Sequence, residues 1–492
     1  MKHQVISVDQ STQSTKALLF SEEGRLIRMA SMTHKQIYPK EGWVEHDPDE
    51  IYNSLVKVLI KLVLENKGRE VEYSLSLTNQ RETVLVWDKH TGKPVSNAVV
   101  WQCMRGKDIC DTLKAKGHDA LVKERTGLLI DPYFSASGAK WILDNVPGAR
   151  AAAERGDLLM GTIDCWLIWK LTGGKVHATD YTNASRTLLF NIHTLDWDDD
   201  LLRLFTIPRS MMPQAKPCDA VFGETTVDGL FDAPIPIAGV LGDSHGALVG
   251  QMCFTEGLGK ATYGTGSSVM VNIGQNYSDA PEGLVTSVGF AALGKVYYGF
   301  EGNIHCTGAT ITWLKDKLGL ISSPKEIEEV ATSVTDNGGV YFIPAFAGLG
   351  APWWHPEVKA QICGMTLGSS RAHVCRAALE SIGYQVADLV KAMTDTAGIG
   401  LREIRVDGGP TANKFLMQFQ SNLLQVPVVR SEVEDASAFG AFVMNGFALG
   451  RWHSFDEALS VWNGDAPVKP EAYEKVSAAY EGWKKAVHQL IK

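Results

Sequence analysis

Val5-Ile-Ser-Val-Asp9, Gln10, Ser11-Thr-Gln-Ser-Thr15 and Lys16-Ala-Leu-Leu-Phe20 follow one another at the start of the chain. An apolar run ends on a carboxylate, a hydroxyl-rich turn follows, and a second apolar run returns. The pattern predicts a buried strand, a tight turn and a partner strand, with Asp9 where the strand meets the turn. Tyr263-Gly-Thr-Gly-Ser-Ser268 is a second Gly/Ser/Thr bend, and Ile237-Ala-Gly-Val-Leu-Gly-Asp243-Ser-His-Gly-Ala-Leu248 delivers another carboxylate onto a glycine-flanked bend. Either turn alone reads equally well as an ordinary β-turn, because Ser, Thr, Asp and Gly favour turns generally. Together, two carboxylates and two donor-rich turns are what holding a metal-bound polyphosphate beside an alcohol requires.

Around these motifs lies an ordinary globular chain. Its 492 residues, 45% of them hydrophobic, exceed what one core organises, so two domains of about 200 to 250 residues are expected. The formal charge of −9 arises from interspersed residues with no basic block, which argues against nucleic acid or an anionic membrane as partner. No apolar run approaches the roughly 18 to 20 residues of a membrane span, and the first residues lead directly into a strand, so a cytoplasmic protein is expected. Eight scattered cysteines form no CxxC pair or zinc spacing; they read as reduced core residues, and no structural metal is indicated.

Element order suggests a duplication. In the first half, strands at 5–20 and 26–31 precede a helical stretch at 51–64, a strand at 72–77 and a hairpin that begins at 84–87. After Asp243 the order starts again. A hairpin at 259–273 and a strand at 296–300 precede a helix at 307–318, a strand at 340–344, and helices at 372–396 and 412–424 around a strand at 403–406. The chain is therefore expected to divide near Gly250, into 1–250 and 251–492.

The common phosphate loop G-x-x-x-x-G-K-[ST] is absent, since Gly257-Leu-Gly-Lys260 is followed by Ala261 and Gly408-Gly-Pro-Thr-Ala-Asn-Lys414 lacks the second glycine. A nucleotide would have to be held by hairpin turns. The bend Gly408-Gly409 ends a strand and starts a helix, where a base or ribose can lie against bare backbone. A separate group, Arg81, Glu82, Trp101 and Tyr133, offers donors, an acceptor and flat apolar walls. Such a set suits a small polyhydroxylated molecule, although an adjacent Arg-Glu pair is also a common solvated surface feature.

The residues together resemble the FGGY family of carbohydrate kinases, and within it the glycerol kinase branch. The resemblance spans nearly the whole chain and is most specific in Gly42-Trp-Val-Glu-His-Asp-Pro48, Thr78-Asn-Gln-Arg-Glu-Thr83, Asp180-Tyr-Thr-Asn-Ala-Ser-Arg186 and Phe190-Asn-Ile-His-Thr-Leu-Asp-Trp-Asp198. It implies an α/β fold of two actin-like, ribonuclease-H-like ATPase domains with a catalytic cleft between them that closes to exclude water. It implies ATP and Mg²⁺ as cofactors and Asp243 as general base, with Asp9 and Asp243 near the metal. Thr12, Gln13 and Ser14 with Gly264, Thr265 and Gly266 would contact phosphates. Gly308, Thr312, Gly409 and Asn413 would line the ribose and base, while Arg81, Glu82, Trp101, Tyr133, Asp243, Ser244 and Ser268 would face the polyol. A small-molecule polyol and ATP are the implied partners, with a homo-oligomer as the expected assembly.

Glycerol kinases usually carry Gln where this chain has Ser244 and Phe where it has Ser268. Both departures shorten a side chain and would enlarge the pocket or admit a water. The expected reaction is phosphorylation of a terminal hydroxyl of a small polyol, with glycerol leading. The alternatives are a four- or five-carbon polyol or ketose as acceptor, and a non-catalytic actin-like nucleotide-binding sensor, against which the presence of both Asp9 and Asp243 argues. The loop Thr226-Val-Asp-Gly-Leu-Phe-Asp-Ala-Pro234 also lacks the Gly-Gly-Thr-Arg that some family members use to bind an inhibitory sugar bisphosphate.

Overall fold

The computed structural model describes residues 2–66, 71–433 and 435–492. By packing, the chain forms two compact units. The first comprises Met1–Met252, Ser287–Tyr298 and Asp435–Trp462; the second comprises Cys253–Thr286, Gly299–Glu434 and Asn463–Lys492. The halves 1–250 and 251–492 are a division by chain order, whereas the compact units are discontinuous because the segment 435–462 packs with the first.

In the first unit, strands β1 (Lys2–Gln10), β2 (Ser14–Ser21) and β3 (Leu26–Thr33) form an antiparallel meander. Helix α1 (Pro48–Leu64) then leads to β4 (Val71–Asn79), which runs parallel to β1. Asp47 caps α1 by accepting from the amides of Asp49 and Glu50, and Pro48 occupies the first turn, where a missing N–H costs nothing. Apolar residues Ile51, Leu55, Val58, Leu59 and Leu62 recur at helical spacing and pack with Ile6, Val8, Leu19, Leu75 and Leu77 in one core. Strand β5 (Ile235–Gly242) lies parallel to β4, with Val221–Thr225 antiparallel at its edge.

Phe20 of β2 packs on Phe439 and Phe442 of the helix Ala436–Ala448. Asn445 of the same helix ties it to β4 and β5, accepting from Ser74 Oγ and donating to the Ala238 carbonyl, each at 2.9 Å. Helix α2 (Asp243–Gly250) meets this helix almost backbone to backbone. A Cβ on Gly250 would stand 1.9 Å from the Ala436 carbonyl oxygen, and one on Gly440 equally close to that of Gly246. That contact explains the small residues after Asp243.

The strand 84–87 does not continue this sheet. Glu82 adopts φ 62°, and the bend sends Val84–Asp88 into a separate sheet with Glu45–His46, Ala98–Val99 and Leu158–Thr162.

A second sheet repeats the topology. Strands β6 (Leu258–Tyr263) and β7 (Ser267–Gly274) form the hairpin, β8 (Lys295–Ile304) neighbours β7, and α3 (Gly308–Asp316) follows. After α4 (Arg371–Ala397), strand β9 (Glu403–Asp407) pairs parallel to β6. Helix α5 (Lys414–Leu424) leads to β10 (Val428–Arg430), parallel to β9. The first sheet runs β5-β4-β1-β2-β3 and the second β10-β9-β6-β7-β8, each with one further edge strand. These five strands match one for one, so the duplication expected from element order is present, while the sixth strand lies beside β5 in the first sheet and beside β8 in the second. A C-terminal helix, Glu474–Leu490, that element order did not anticipate packs Tyr480 and Trp483 against Tyr384 of α4.

All eight cysteines are free, seven of them buried and Cys363 half-buried. Among the described residues no helix is long and apolar enough to cross a membrane.

Candidate active site

Strand β1 carries Asp9 into the interior, where its register partners are Lys16 on β2 and Thr78 on β4. Lys16 Nζ lies 3.4 Å from Asp9 Oδ2 and 2.8 Å from Asp435 Oδ2. Asp435 also caps the helix Ala436–Ala448 by accepting from the Ala438 amide. Two carboxylates thus share one ammonium. Burial first, and then the Asp435 charge, push the Asp9 carboxyl up to about 8. The turn between the strands is closed by the Ser11 amide donating to the Ser14 carbonyl at 2.8 Å. Gln13 is exposed at its tip, Thr12 and Ser14 are half-buried, and Thr12 Oγ1 accepts from Trp101 Nε1 at 3.0 Å.

Asp243 is the first residue of α2, with its side chain 37% exposed while Arg81 beside it is 5% exposed. Arg81 Nε approaches Asp243 Oδ1 to 3.0 Å, and the Ser244 amide donates to the same oxygen at 2.6 Å. The carboxylate is therefore oriented from two sides and still reaches solvent. Beneath it, Thr182 Oγ1 accepts from the Gly242 amide, and Asp180 caps the short helix Tyr181–Ala184. Asn79 and Asn183 exchange reciprocal amide hydrogen bonds. The motif Asp180–Arg186 is thus the support of the β5–α2 bend.

Glu82 is almost wholly buried; Arg186 Nε donates to its Oε1 at 2.6 Å, and Ser135 Oγ donates to its carbonyl. Trp101 and Tyr133 stand edge to face at 5.4 Å. The structure therefore brings Arg81, Glu82, Asp243 and Ser244 together, with the Trp101–Tyr133 wall joined to the Thr12 turn. His245 is buried, with Nε2 3.1 Å from Ser287 Oγ.

In the second unit the turn 264–266 is seated on the start of α3. The Gly308 amide donates to the Gly264 carbonyl, and the amides of Thr307 and Ala309 both donate to the Thr265 carbonyl, all at 3.0 Å. A Cβ on Gly308 would come within 2.5 Å of the Gly264 oxygen, and one on Gly266 within 2.4 Å of the Ile304 oxygen. Thr312, one turn along α3, is exposed. Gly408 adopts φ 97° with its missing Cβ pointed at the Tyr263 carbonyl, while a Cβ on Gly409 would meet nothing within 4 Å. Asn413 spends its carboxamide oxygen capping α5, accepting from the Leu416 amide at 2.9 Å. The Ser268 hydroxyl is engaged within the unit, accepting from the buried Lys260 Nζ at 3.0 Å.

Family models for the N-terminal and C-terminal domains of the FGGY carbohydrate kinases match residues 4–250 and 259–449. The chain belongs to the FGGY family of carbohydrate kinases. It is 50% identical over 490 residues to glycerol kinase 2 of Thermotoga maritima, covering 99% of this chain and 98% of that one. It is 47% identical over 489 residues to the glycerol kinase of Bacillus cytotoxicus, covering 99% of each. The crystal structure of Plasmodium falciparum glycerol kinase with ADP superimposes with a TM-score of 0.95 at 35% identity, over 100% of this chain and 99% of that one. A ligand-bound xylulose kinase from Lactobacillus acidophilus shares the fold, with TM-score 0.88 at 20% identity over 99% of each chain. The architecture is the two-domain FGGY kinase fold, and the protein is an ATP-dependent kinase of this family.

Residue patterns in this FGGY kinase did not expose the partners of the acids. Arg186 lies 104 positions from Glu82, and Asp435 meets Asp9 only through the Lys16 they share. Lys16 had one local signal: strand alternation places it directly opposite Asp9 in a hairpin with a short turn.

Proposed function

We propose that this FGGY kinase transfers the γ-phosphoryl group of ATP to a terminal hydroxyl of glycerol, giving glycerol 3-phosphate and ADP. The observation that carries the reading is Asp243, a solvent-reaching carboxylate at a helix start, oriented by Arg81 in the same unit as the Trp101–Tyr133 wall. Full-length relatives named glycerol kinase, 47% to 50% identical, support glycerol as the acceptor.

In this reading Asp243 accepts the hydroxyl proton as the substrate oxygen attacks phosphorus. The bond to the β–γ bridging oxygen breaks, and its electron pair leaves with ADP. Arg81 and Trp101 fix the polyol with Tyr133, and Arg186 holds Glu82 so that its carboxylate faces one way. Thr12, Gln13 and Ser14, with Gly264, Thr265 and Gly266, receive the phosphates; Gly308, Thr312, Gly409 and Asn413 border the nucleoside. Ser244 and Ser268 border the polyol.

Among the described residues no three or more His, Cys, Asp or Glu side chains gather as a metal cage. Mg²⁺ on a nucleotide needs only one or two carboxylates besides phosphate oxygens, and the buried Asp9, crowded by a second carboxylate, suits that role. Bound there, Mg²⁺ supplies positive charge to the phosphate oxygens. The reading also places the protein in the cytoplasm, where ATP is available, and as a homo-oligomer.

A tetritol, pentitol or ketopentose is the second reading, favoured by the short Ser244 and Ser268. The deciding experiment is ADP release with Mg²⁺-ATP across glycerol, dihydroxyacetone, erythritol, threitol, xylitol, ribitol and both xyluloses. A lead for glycerol of about tenfold in kcat/KM, ~1.4 kcal/mol of transition-state binding, establishes the first reading. A lead for a longer acceptor establishes the second, and no stimulated release overturns both.

A further inference from the structure

The segment around Glu45-His46 is among the most distinctive in the sequence, yet neither the phosphate turns nor the polyol wall account for it. His46 is fully buried on a short strand of the separate sheet in the first unit. Its Nε2 lies 2.8 Å from Gln36 Oε1, and Gln36 Nε2 donates to the Thr12 carbonyl at 2.7 Å. Its Nδ1 lies 3.2 Å from Gln80 Nε2, and Gln80 Oε1 accepts from Thr83 Oγ1 at 2.9 Å. Thr83 Oγ1 accepts from the Trp101 amide at 3.3 Å, and the Trp101 indole returns to Thr12 Oγ1 at 3.0 Å. The circuit closes on itself.

Its polarity is fixed from both ends. The Thr12 carbonyl can only accept, so the Gln36 amide nitrogen faces it, the Gln36 oxygen faces His46, and Nε2 must carry the proton. On the other side the Gln80 nitrogen also faces Gln10 Oε1 at 3.0 Å and the Ser11 carbonyl at 3.4 Å, so it donates and Nδ1 accepts. Both demands are met by one neutral tautomer. Burial, and then the neighbouring His34 ring at 4.7 Å, hold the imidazole neutral down to about pH 3. The ring is a two-ended connector held in one neutral tautomer by its partners.

We propose that His46 is a positioning residue that couples the polyol wall at Trp101 to the phosphate turn at Thr12, so that glycerol and nucleotide bind cooperatively. The inference rests on the roles assigned to Trp101 and Thr12 above. A polyol packed on Trp101 restricts the indole, and through it Thr12 Oγ1. The path through Thr83, Gln80, His46 and Gln36 restricts the Thr12 carbonyl at the same time. The turn is then ordered before the nucleotide arrives, and the second ligand loses less conformational freedom than the first. The coupling is reciprocal.

The test uses the full-length enzyme with Mg²⁺ and a non-hydrolysable ATP analogue, whose Kd is measured by calorimetry with and without saturating glycerol. Wild type is expected to bind the analogue about fivefold more tightly with glycerol present. His46→Phe should bring that ratio close to one. His46→Gln, whose amide oxygen can accept from Gln80 while its nitrogen donates to Gln36, should restore most of it. Gln36→Leu cuts the circuit at a less buried point and must show the same loss, which keeps the test sound if His46→Phe does not fold. A ratio of one in wild type, or a wild-type ratio in either circuit-breaking variant that folds, overturns the coupling and leaves the kinase reading standing. Failure of wild type to bind glycerol at all overturns glycerol as the acceptor, and the coupling with it.

Discussion

Arg81 Nε sits 3.0 Å from Asp243 Oδ1 and approaches Glu82 Oε1 only to 4.0 Å. The guanidinium therefore orients the proposed base, while Glu82 is oriented by Arg186. Asp243→Asn keeps the size of the side chain but cannot accept the hydroxyl proton. Turnover should fall by about a hundred- to ten-thousand-fold, the usual worth of a general base. Calorimetry should find ATP-analogue binding unchanged, because Asp243 is assigned to the acceptor. Turnover within tenfold of wild type would remove Asp243 from its role.

Gly408 and Gly409 are neighbours with opposite expectations. A Cβ on Gly408 would stand 2.0 Å from the Tyr263 carbonyl oxygen at a positive φ, whereas one on Gly409 would meet open space. Gly408→Ala should destabilise the second unit by about 1 kcal/mol or more from backbone conformation alone, read as a lower urea midpoint. Gly409→Ala should leave that midpoint in place and raise KM for ATP, because the added methyl meets only the nucleoside. An unchanged KM would take Gly409 out of the nucleotide site.

Asp435 combines two tasks that substitution can separate. As a helix cap it can be replaced by Asn, a comparably good cap, but Ala should cost ~1 kcal/mol of stability. As the 2.8 Å partner of Lys16 it cannot be replaced by a neutral group. Asp435→Asn should therefore lower the urea midpoint through the lost charged bond to Lys16 although the cap remains, and raise KM for Mg²⁺-ATP, because Lys16 then pairs with Asp9 alone. Equal KM values for wild type and Asp435→Asn would reduce Asp435 to a cap.

Asp164 gives the pH dependence of stability a sign. Burial first, and then the Asp180 charge, push its carboxyl up to about 7, against an ordinary value of 3.8. Below about pH 4 it is protonated in both folded and unfolded chains and has no effect on the balance. As pH rises from 4 to 7 the unfolded chain ionises while the folded one resists, so stability falls across that window and levels off above it. Asp164→Asn should flatten this part of a urea-midpoint profile. An unaltered slope would show that other groups set it.

Local patterns carried what was legible in the sequence. The hairpin around residues 11–14, the carboxylates at both strand ends and the Gly-rich bends each occupy a dozen residues or fewer, within reach of periodicity and turn chemistry. The long-range ion pairs were not legible. Lys16 and Asp435 are 419 positions apart, and Glu82 and Arg186 are 104 apart. Such pairs form because buried charges need partners, a demand that names no particular residue. The diversion of 84–88 into a second sheet was hidden for another reason. It depends on a left-handed backbone at Glu82, a residue type that gives little warning of one.

The two serines that depart from the family pattern are not equivalent probes of specificity. The Ser244 amide, not its side chain, holds Asp243, so Ser244→Gln leaves that bond intact and adds only bulk and an amide. Ser268 Oγ accepts from Lys260 Nζ, and Phe at that position would leave a buried ammonium with one acceptor fewer. Loss of a charged hydrogen bond costs about 1.5–3 kcal/mol, so Ser268→Phe should lower stability as well as alter selectivity. Ser268→Ala serves as its control, because it removes the same acceptor without filling space. If these positions limit the acceptor pocket, Ser244→Gln should shift the ratio of kcat/KM for glycerol over erythritol upward by about fivefold or more, ~1 kcal/mol of differential binding. Ser268→Ala should lower the urea midpoint with the ratio unmoved. A ratio unchanged in Ser244→Gln and in Ser268→Phe alike would mean that chain length is read by the wall of Trp101 and Tyr133, and that the serines are tolerated variation.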